Sequence, residues 1–504
     1  MTKSSKVSSI AFLKNALALA SGTLIIQIIG FFSTPIISRL YTPEAFGIAA
    51  LFGTVTSLVW PFLSFKYQYA IVLPNDDKEA ANIFSLSIFL MIIMLSVIVF
   101  LITFFGESIT KVFRINALLP YIWLLPLSMF FNGLSQPIRY WNIRHKYFRS
   151  IAVASVSCSV QNTMLKITSG IVGYNSGSTL IIVDLLGRAL FTIVLSLKLL
   201  FNDLRFIISN ISICVIIKLA KQYKDYPIYQ NLSSLFNTAS REIPTILLAT
   251  YFGVAFVGQY SRGIILIGLP ISLIAKSVGE VFFQGAAKRK KSGESLTDYT
   301  FTVFKRLIVF GITPFVFLFT IAPDFFYIFL GDQWVEAGRI TQLLTPWFLM
   351  VFLSNPMSYL VLVFDKLKVW FYFDIFIFLA RMIAILIGVH VIKHSLYTVL
   401  ILSTVGTLCW IFAIIYFLSL VQVNIKLVIR EFILQLAYSI PMVIFISAIK
   451  LAFNNPYITV FAGALFLAFQ VSYYAMRDQV ILSFLKEKIQ ERWINRLQNI
   501  FRLH

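Results

Sequence analysis

Three arginines stand deep inside apolar stretches of this chain: Arg188, Arg241 and Arg381. Each falls roughly ten to twelve residues into its run, about 15–18 Å along a helix at 1.5 Å per residue. Lys166 lies toward one end of a further run. Carboxylates stand near them: Asp184 one helical turn from Arg188, Asp374 two turns from Arg381, and Glu242 directly beside Arg241 in TASREIPTILLATYFG. A guanidinium offers a planar fork of donors suited to phosphate oxygens. An embedded carboxylate can exchange one cation or proton for another. Each centrally placed arginine costs about 2.5–3.5 kcal/mol on insertion scales, so it must face water or a partner rather than lipid. Internal pairing is the competing account for Arg188 with Asp184 and for Arg381 with Asp374. Arg241 has no acid on its own helix face, because the side chain of an adjacent residue points about 100° away. Lys166, Arg188, Arg241, Arg262, Lys276 and Arg381 outnumber Asp184, Glu242, Glu280 and Asp374 within the runs, leaving a basic surplus suited to an anionic cargo. Lys276 and Glu280 fall toward one end of their run, where long side chains reach an interface, and Arg262 lies about one turn from the other end.

Other chemistries find less support. Asp324, Asp332 and Glu336 share the segment APDFFYIFLGDQWVEAGR, but no histidine, nucleophile or metal motif accompanies them, so a solvated loop is expected. His390 and His394 have the spacing of a helical metal pair without a third ligand and are read as interfacial. No Gly-rich phosphate loop for ATP is found. Cys158, Cys214 and Cys409 are far apart in apolar surroundings, which fits neither a disulfide framework nor a zinc site. No catalytic or metal-binding residue is assigned, and the chain is not expected to be an enzyme.

The elements that must position these charges are membrane spans. Of 504 residues, 59% are hydrophobic and 12% charged, against about 25% charged in soluble domains. Apolar runs of about twenty residues recur along the whole chain, the mark of an all-α polytopic membrane protein. Fourteen spans are expected, at 15–38, 46–65, 83–105, 117–137, 150–172, 178–200, 229–250, 257–283, 305–323, 340–363, 369–391, 395–419, 432–451 and 456–476. The net charge of +21 does not indicate nucleic acid, because the basic residues cluster in short segments between spans. Arg139, Arg144, Lys146 and Arg149, then Lys218, Lys221 and Lys224, then Lys288 to Lys291 all fall on one side, which the positive-inside rule makes the cytoplasm, together with both termini. The acidic loop PNDDKEAAN is assigned to the same side, since acids weigh little in that rule.

The longest inner connection, 201–228, contains SICVIIKLAKQYKDYP and is expected to carry a helix on the membrane surface. It separates an N-terminal lobe (1–200, spans 1–6) from a C-terminal lobe (229–420, spans 7–12). Two further spans (421–480) and an amphipathic cytoplasmic tail (481–504) complete the expected organisation. A short echo, RLYTPEAFGIAAL against ATYFGVAFVGQYS, supports a parallel repeat, with Gly47 and Gly258 expected to ease tight outer turns.

The blocks GTLIIQIIGFFSTPIISRLYTPEAFGIAALF and KYQYAIVLPNDDKEAANIFSLSI resemble bacterial polysaccharide-biosynthesis flippases of the O-antigen type. These are lipid-linked oligosaccharide translocases of the multidrug/oligosaccharidyl-lipid/polysaccharide exporter superfamily. RYWNIRHKYFRSIAVASVSCSVQN and the stretch from YPIYQNLSS to FFQGAAK are similar to the family's middle portions, so the resemblance covers residues 20 to 290. It implies two six-helix lobes around a central cavity, rocking between inward- and outward-open states. It implies a polyprenyl-pyrophosphate-linked glycan carried from the cytoplasmic to the outer leaflet of the inner membrane, for O-antigen, capsule or related polysaccharide. Implied partners are membrane lipids and other polysaccharide-assembly membrane proteins. No cofactor is implied, and a cation gradient or the membrane potential would drive the cycle. Where the family pattern often reads Arg-Tyr-Glu, this chain has Lys66, Tyr67 and Gln68, which removes a carboxylate from that spot. On this basis Arg241, with Arg188, Arg381 and Lys166, is expected to hold the pyrophosphate and charged sugars, and Asp184 and Glu242 to serve coupling. The rival readings are a small-molecule or drug-cation exporter on the same fold, which calls for an acidic cavity, and a polysaccharide polymerase or ligase, which calls for a long outer loop.

Overall fold

A computed structural model describes residues 3–112 and 115–477. The expected tail helix at 481–504 lies outside the described residues. In chain order the α-helices are α1 (Lys3–Leu40), α2 (Pro43–Val59), α3 (Asp77–Val112), α4 (Leu124–Arg144), α5 (Phe148–Val172), α6 (Gly177–Lys198), α7 (Leu204–Ser209), α8 (Ile213–Gln222) and α9 (Asn231–Phe252). They continue as α10 (Val254–Pro270), α11 (Lys276–Ser292), α12 (Thr297–Leu330), α13 (Val335–Met357), α14 (Tyr359–Val363), α15 (Leu367–Ile387), α16 (Ser395–Ser419), α17 (Ile425–Phe453) and α18 (Pro456–Arg477). No strand occurs among the described residues. The protein is an all-α, multi-pass membrane protein.

Ten of these stretches are long and apolar enough to cross a membrane among the described residues, and each overlaps one expected span. The other four expected spans correspond to α4, α5, α9 and the α10–α11 pair. These are the helices whose apolar face is interrupted: α5 by Asn162 and Lys166, α9 by Arg241 and Glu242, α10–α11 by Arg262 and Glu280, α4 by Asn132, Gln136 and Arg139. A helix that surrounds its polar groups with neighbouring helices no longer needs to be apolar all round, so its hydropathy falls.

The chain divides into two compact units. The first comprises residues 1–262, 329–334 and 368–402, and the second 263–328, 335–367 and 403–504. This division follows contacts rather than chain order; the sequential lobes at 1–200 and 229–420 are a separate proposal.

Within the first unit, α2 starts cleanly. Thr42 caps it by accepting from the Ala45 amide at 3.2 Å, Pro43 occupies its first turn, and Glu44 complements the helix dipole. Gly47 and Gly258 do not serve turns, as the sequence suggested. They lie where α2 and α10 cross: a Cβ on Gly47 would collide with the Val254 carbonyl, and one on Gly258 with the Pro43 carbonyl. The absent side chains let two backbones meet, the device expected of tight helix pairs in membranes.

The linker segment 201–228 contains α7 and α8. α8 leaves Ile213 and Ile217 exposed, suited to a membrane surface, while Leu219 is fully buried with Ala80, Ile83 and Trp141. Asn82 fixes the linker's start by donating to the Asn210 carbonyl at 2.9 Å and accepting from the Ser212 amide at 2.8 Å. The acidic loop after Pro74 is held by Arg144, which pairs with Asp77 at 2.7 Å and donates to the carbonyls of Ile71 and Pro74.

In the second unit α12 packs against α17 through Ile321, Met442 and Ile446. Buried Gln435 donates to Thr313 at 3.0 Å, and Lys305–Glu431 and Lys450–Asp324 pair toward the two ends. An apolar cavity of about 510 Å³ opens among α12, α13, α16 and α17.

Candidate functional site

The polar interior of the first unit gathers on α5. Cys158, Asn162 and Lys166 recur every four residues and therefore share one face, with Ser155, Ser159 and Thr163 alongside. α6 approaches this face because residue 187 is glycine; a Cβ there would overlap the Asn162 amide. α1 contributes Ser33 and Thr34, whose hydroxyls donate to the Gly30 carbonyl at 3.2 and 2.6 Å. A cavity of about 460 Å³ opens among these residues, with Lys166 and Arg262 as its lining cations.

The two cations are held differently. The Lys166 ammonium lies 2.6 Å from the Asp184 carboxylate, across the α5–α6 interface, with Lys166 largely covered and Asp184 two-fifths exposed. Arg262 enters from α10 and is 8% exposed. Its guanidinium carbon sits 3.6 Å above the centre of the Phe46 ring and 5.8 Å from that of Trp334. The Trp334 indole is fixed by donation to the Ser38 carbonyl at 2.7 Å. Two flat aromatic groups thus shield the guanidinium, a favourable cation–π arrangement when desolvated. Its Nε has no hydrogen-bond partner among the described residues, and neither has the buried Asn162 Oδ1. Asp184 acts electrostatically on Arg262, while Asp184, Arg188 and Lys166 all act on Cys158. Of these cations, Lys166 is the one in contact with the Asp184 carboxylate.

The structure distributes the residues singled out by sequence over two places. Lys166 lines the cavity and Asp184 pairs with it, while neither Asp184 nor Arg188 is itself a lining residue. Asp184 pairs with Lys166 on the neighbouring helix, not with Arg188 one turn along its own. The second place joins α9 and α15. Arg381 is buried and donates to the Ser240 hydroxyl at 2.8 Å, while Asp374 accepts from Asn237 and Ser233 and feels Arg381. Glu242 turns away from Arg241, as adjacent helical positions require, and accepts from Thr54 of α2 at 2.9 Å. Arg241 is exposed and makes no ion pair among the described residues. Neither Arg241 nor Arg381 lines the cavity.

Sequence reading passed over Arg262, because its position one turn from a span's end suggested a wet interface. Its burial depends on Phe46 and Trp334, which lie far from it in the chain, and no local signal announces them. The histidines are no metal pair: a π-helical turn at Gly388–Ile392 and a left-handed Lys393 separate them, and His390 contacts the Tyr251 hydroxyl at 3.3 Å. The Lys66-Tyr67-Gln68 block is structural. Lys66 is buried over the rings of Trp60 and Tyr69, Tyr67 donates to the Ala220 carbonyl, and Gln68 accepts from Ser64 at 2.6 Å.

Residues 36–339 match the family described as "Polysaccharide biosynthesis protein". The chain belongs to this family. Among curated relatives, this polysaccharide biosynthesis protein is 22% identical over 351 residues to an "Uncharacterized membrane protein in cps region" of Klebsiella pneumoniae, covering 69% of the chain and 70% of that protein. It is 23% identical over 195 residues to the "Teichuronic acid biosynthesis protein TuaB" of Bacillus subtilis (strain 168), covering 39% and 38% respectively. Its fold is similar to that of "Lipid II flippase MurJ, inward closed conformation", with a TM-score of 0.71 and 16% identity over 92% of this chain and all of that one. It is also similar to an inward-facing multidrug resistance MATE family transporter, with a TM-score of 0.63 and 16% identity over 81% and 99%.

Proposed function

We propose that this protein is a flippase that carries a polyprenyl-pyrophosphate-linked oligosaccharide from the cytoplasmic to the outer leaflet of the bacterial inner membrane. The cycle is alternating access, with two six-helix lobes (1–200 and 229–420) moving about the cargo and the two further spans completing the bundle. Both termini are cytoplasmic. A cation gradient or the membrane potential drives it, with Asp184 and Glu242 as the carboxylates available for coupling. The product feeds a surface polysaccharide such as O-antigen or capsule, handed on to other membrane proteins of assembly.

One observation carries this reading: a polar cavity lined by Lys166 and by a buried Arg262 whose Nε is left without a hydrogen-bond partner. A buried guanidinium with unused donors has paid desolvation without return, unless an anion completes it. Phosphate oxygens match its planar fork, and the hydroxyls and the Asn162 amide beside it suit sugar hydroxyls. Arg188 lies one helical turn from the Asp184 carboxylate along α6. Arg241 and Arg381 do not line this cavity, and exposed Arg241 is assigned to a different stage of the cycle. The family description favours a lipid-linked glycan over a drug cation, and the cavity's two lining cations oppose a cationic cargo.

A strain lacking this protein should accumulate lipid-linked oligosaccharide on the cytoplasmic leaflet and lose surface polymer, with the wild-type chain restoring both. Arg262→Gln should cut export roughly tenfold to hundredfold, the loss of about 1.5–3 kcal/mol of charge-assisted hydrogen bonding, at unchanged abundance in the membrane. Undiminished polymer in the deletion strain would overturn the function, and undiminished polymer with Arg262→Gln would remove the residue from the site.

A further inference from the structure

The Lys166–Asp184 pair raises a question that neutralisation alone does not answer. Were the carboxylate present only to balance buried charge, Arg188 on its own helix would be the nearest partner in sequence, and Arg262 is the more deeply buried of the two cations that line the cavity. The carboxylate bonds instead to the other lining cation, and it does so where it remains two-fifths exposed. One lining cation is thus occupied by an internal anion, while the other keeps a free donor.

From this arrangement we infer that Asp184 is a resident counterion, holding the place on Lys166 that a phosphate of the cargo takes during transport. The inference rests on the cavity being the phosphate site proposed above and assigns Asp184 a role within it. A diphosphate that engages both Lys166 and Arg262 brings its oxygens to the position of the Asp184 carboxylate. Two anions on one ammonium repel each other, so the diphosphate and the Asp184 carboxylate compete for Lys166. The carboxylate must swing aside, and its exposed side gives it room. The exchange conserves charge at Lys166: one anion leaves the ammonium as another arrives, and no bond other than a hydrogen-bonded ion pair is made or broken.

Two consequences suit a carrier. Cargo binding is weakened by the competitor, so the diphosphate is released instead of being trapped by two embedded cations. After release, Asp184 returns to Lys166, and the empty cavity is not left with an uncompensated ammonium while the helices rearrange. Asp184 is therefore a positioning residue for Lys166 and a determinant of how tightly anions are held.

The test is binding of inorganic pyrophosphate to the full-length protein in phosphatidylcholine nanodiscs. Asp184→Asn should tighten binding about tenfold, because the competitor is gone, yet lower polysaccharide export in cells by slowing release. Lys166→Met should weaken binding about tenfold or more, and in the Lys166→Met background Asp184→Asn should give no tightening. Unchanged or weaker binding by Asp184→Asn overturns the exchange, as does tightening that persists without Lys166. Asp184→Glu, which keeps the anion, should stay near the wild type and guards against a misfolded Asn variant; tightening by this variant also overturns the exchange. Nanodiscs containing phosphatidylglycerol distinguish the phosphate source: little change in pyrophosphate affinity supports a diphosphate ligand, and its abolition means that a lipid headgroup owns the site. The site itself fails separately, by absence of pyrophosphate binding to the wild-type protein or by indifference to Arg262→Gln.

Discussion

At the scale of residues, the cavity carries its own reporter. Cys158 lines it, one turn from Asn162 and two from Lys166, with Asn162 Nδ2 3.8 Å from its sulfur. Cys409 is buried and Cys214 exposed on the linker, so Cys214→Ser leaves Cys158 as the accessible thiol. In that background a small thiol reagent should modify Cys158, and pyrophosphate or a lipid-linked diphosphate should slow the reaction several-fold. Modification at one rate with and without the anion would show that the cavity does not take phosphate. What the sequence revealed here was the presence of embedded charge, because a charged side chain inside an apolar run is conspicuous. What it concealed was partnership. Asp184 had a cation one turn away on its own helix, and nothing in the chain's order showed that Lys166, on the helix before, would take it. Arg262 was hidden for the same reason, since its aromatic cover comes from Phe46 and Trp334.

At the scale of elements, periodicity and length were enough to place the helices, because an apolar run near twenty residues leaves a chain in lipid no other way to satisfy its backbone. How the helices meet was not legible. Gly47 and Gly258 read as turn residues, whereas the structure uses them to bring the α2 and α10 backbones together. Gly47 and Gly53 on the same helix make a controlled comparison. A Cβ on Gly47 meets backbone, which cannot give way, while one on Gly53 meets nothing within 4 Å. Gly47→Ala should therefore cost about 1–3 kcal/mol by overpacking, seen as a lowered melting temperature of the purified protein. Gly53→Ala should be neutral or slightly stabilising, since alanine is the better helix former by about 1 kcal/mol. Equal melting temperatures for the two variants would contradict the close crossing. The linker offers a milder case: Asn82→Ala removes both bonds that fix the start of α8 and should raise protease sensitivity near residue 210.

At the scale of the whole molecule, the question is whether the chain alternates across the membrane as its charges demand. Contacts between distant parts of the sequence bear on this, because two segments on opposite faces of a bilayer cannot touch. Arg144 holds the loop at 71–77, Tyr67 reaches Ala220, and Lys305 pairs with Glu431; the positive-inside rule assigns all six segments to the cytoplasm. Gln333 donates to the Ser38 carbonyl, Tyr251 meets His390, and Lys450 pairs with Asp324, all assigned to the opposite side. These contacts agree with the assigned sides, which an odd number of spans between two partners would not allow. The acidic loop after Pro74 also loses its anomaly, since Arg144 neutralises it from the basic segment on its own side. Polarity then rests on the lysine and arginine excess alone, and it is testable with fusions. A fluorescent protein that matures only in the cytoplasm should glow when joined to either terminus, and alkaline phosphatase, active only outside, should be silent there. Inserted at Gly331, between α12 and α13, the phosphatase should be active. Activity at a terminus with silence at Gly331 would invert the molecule, and with it the direction in which Lys166 and Arg262 present their cargo.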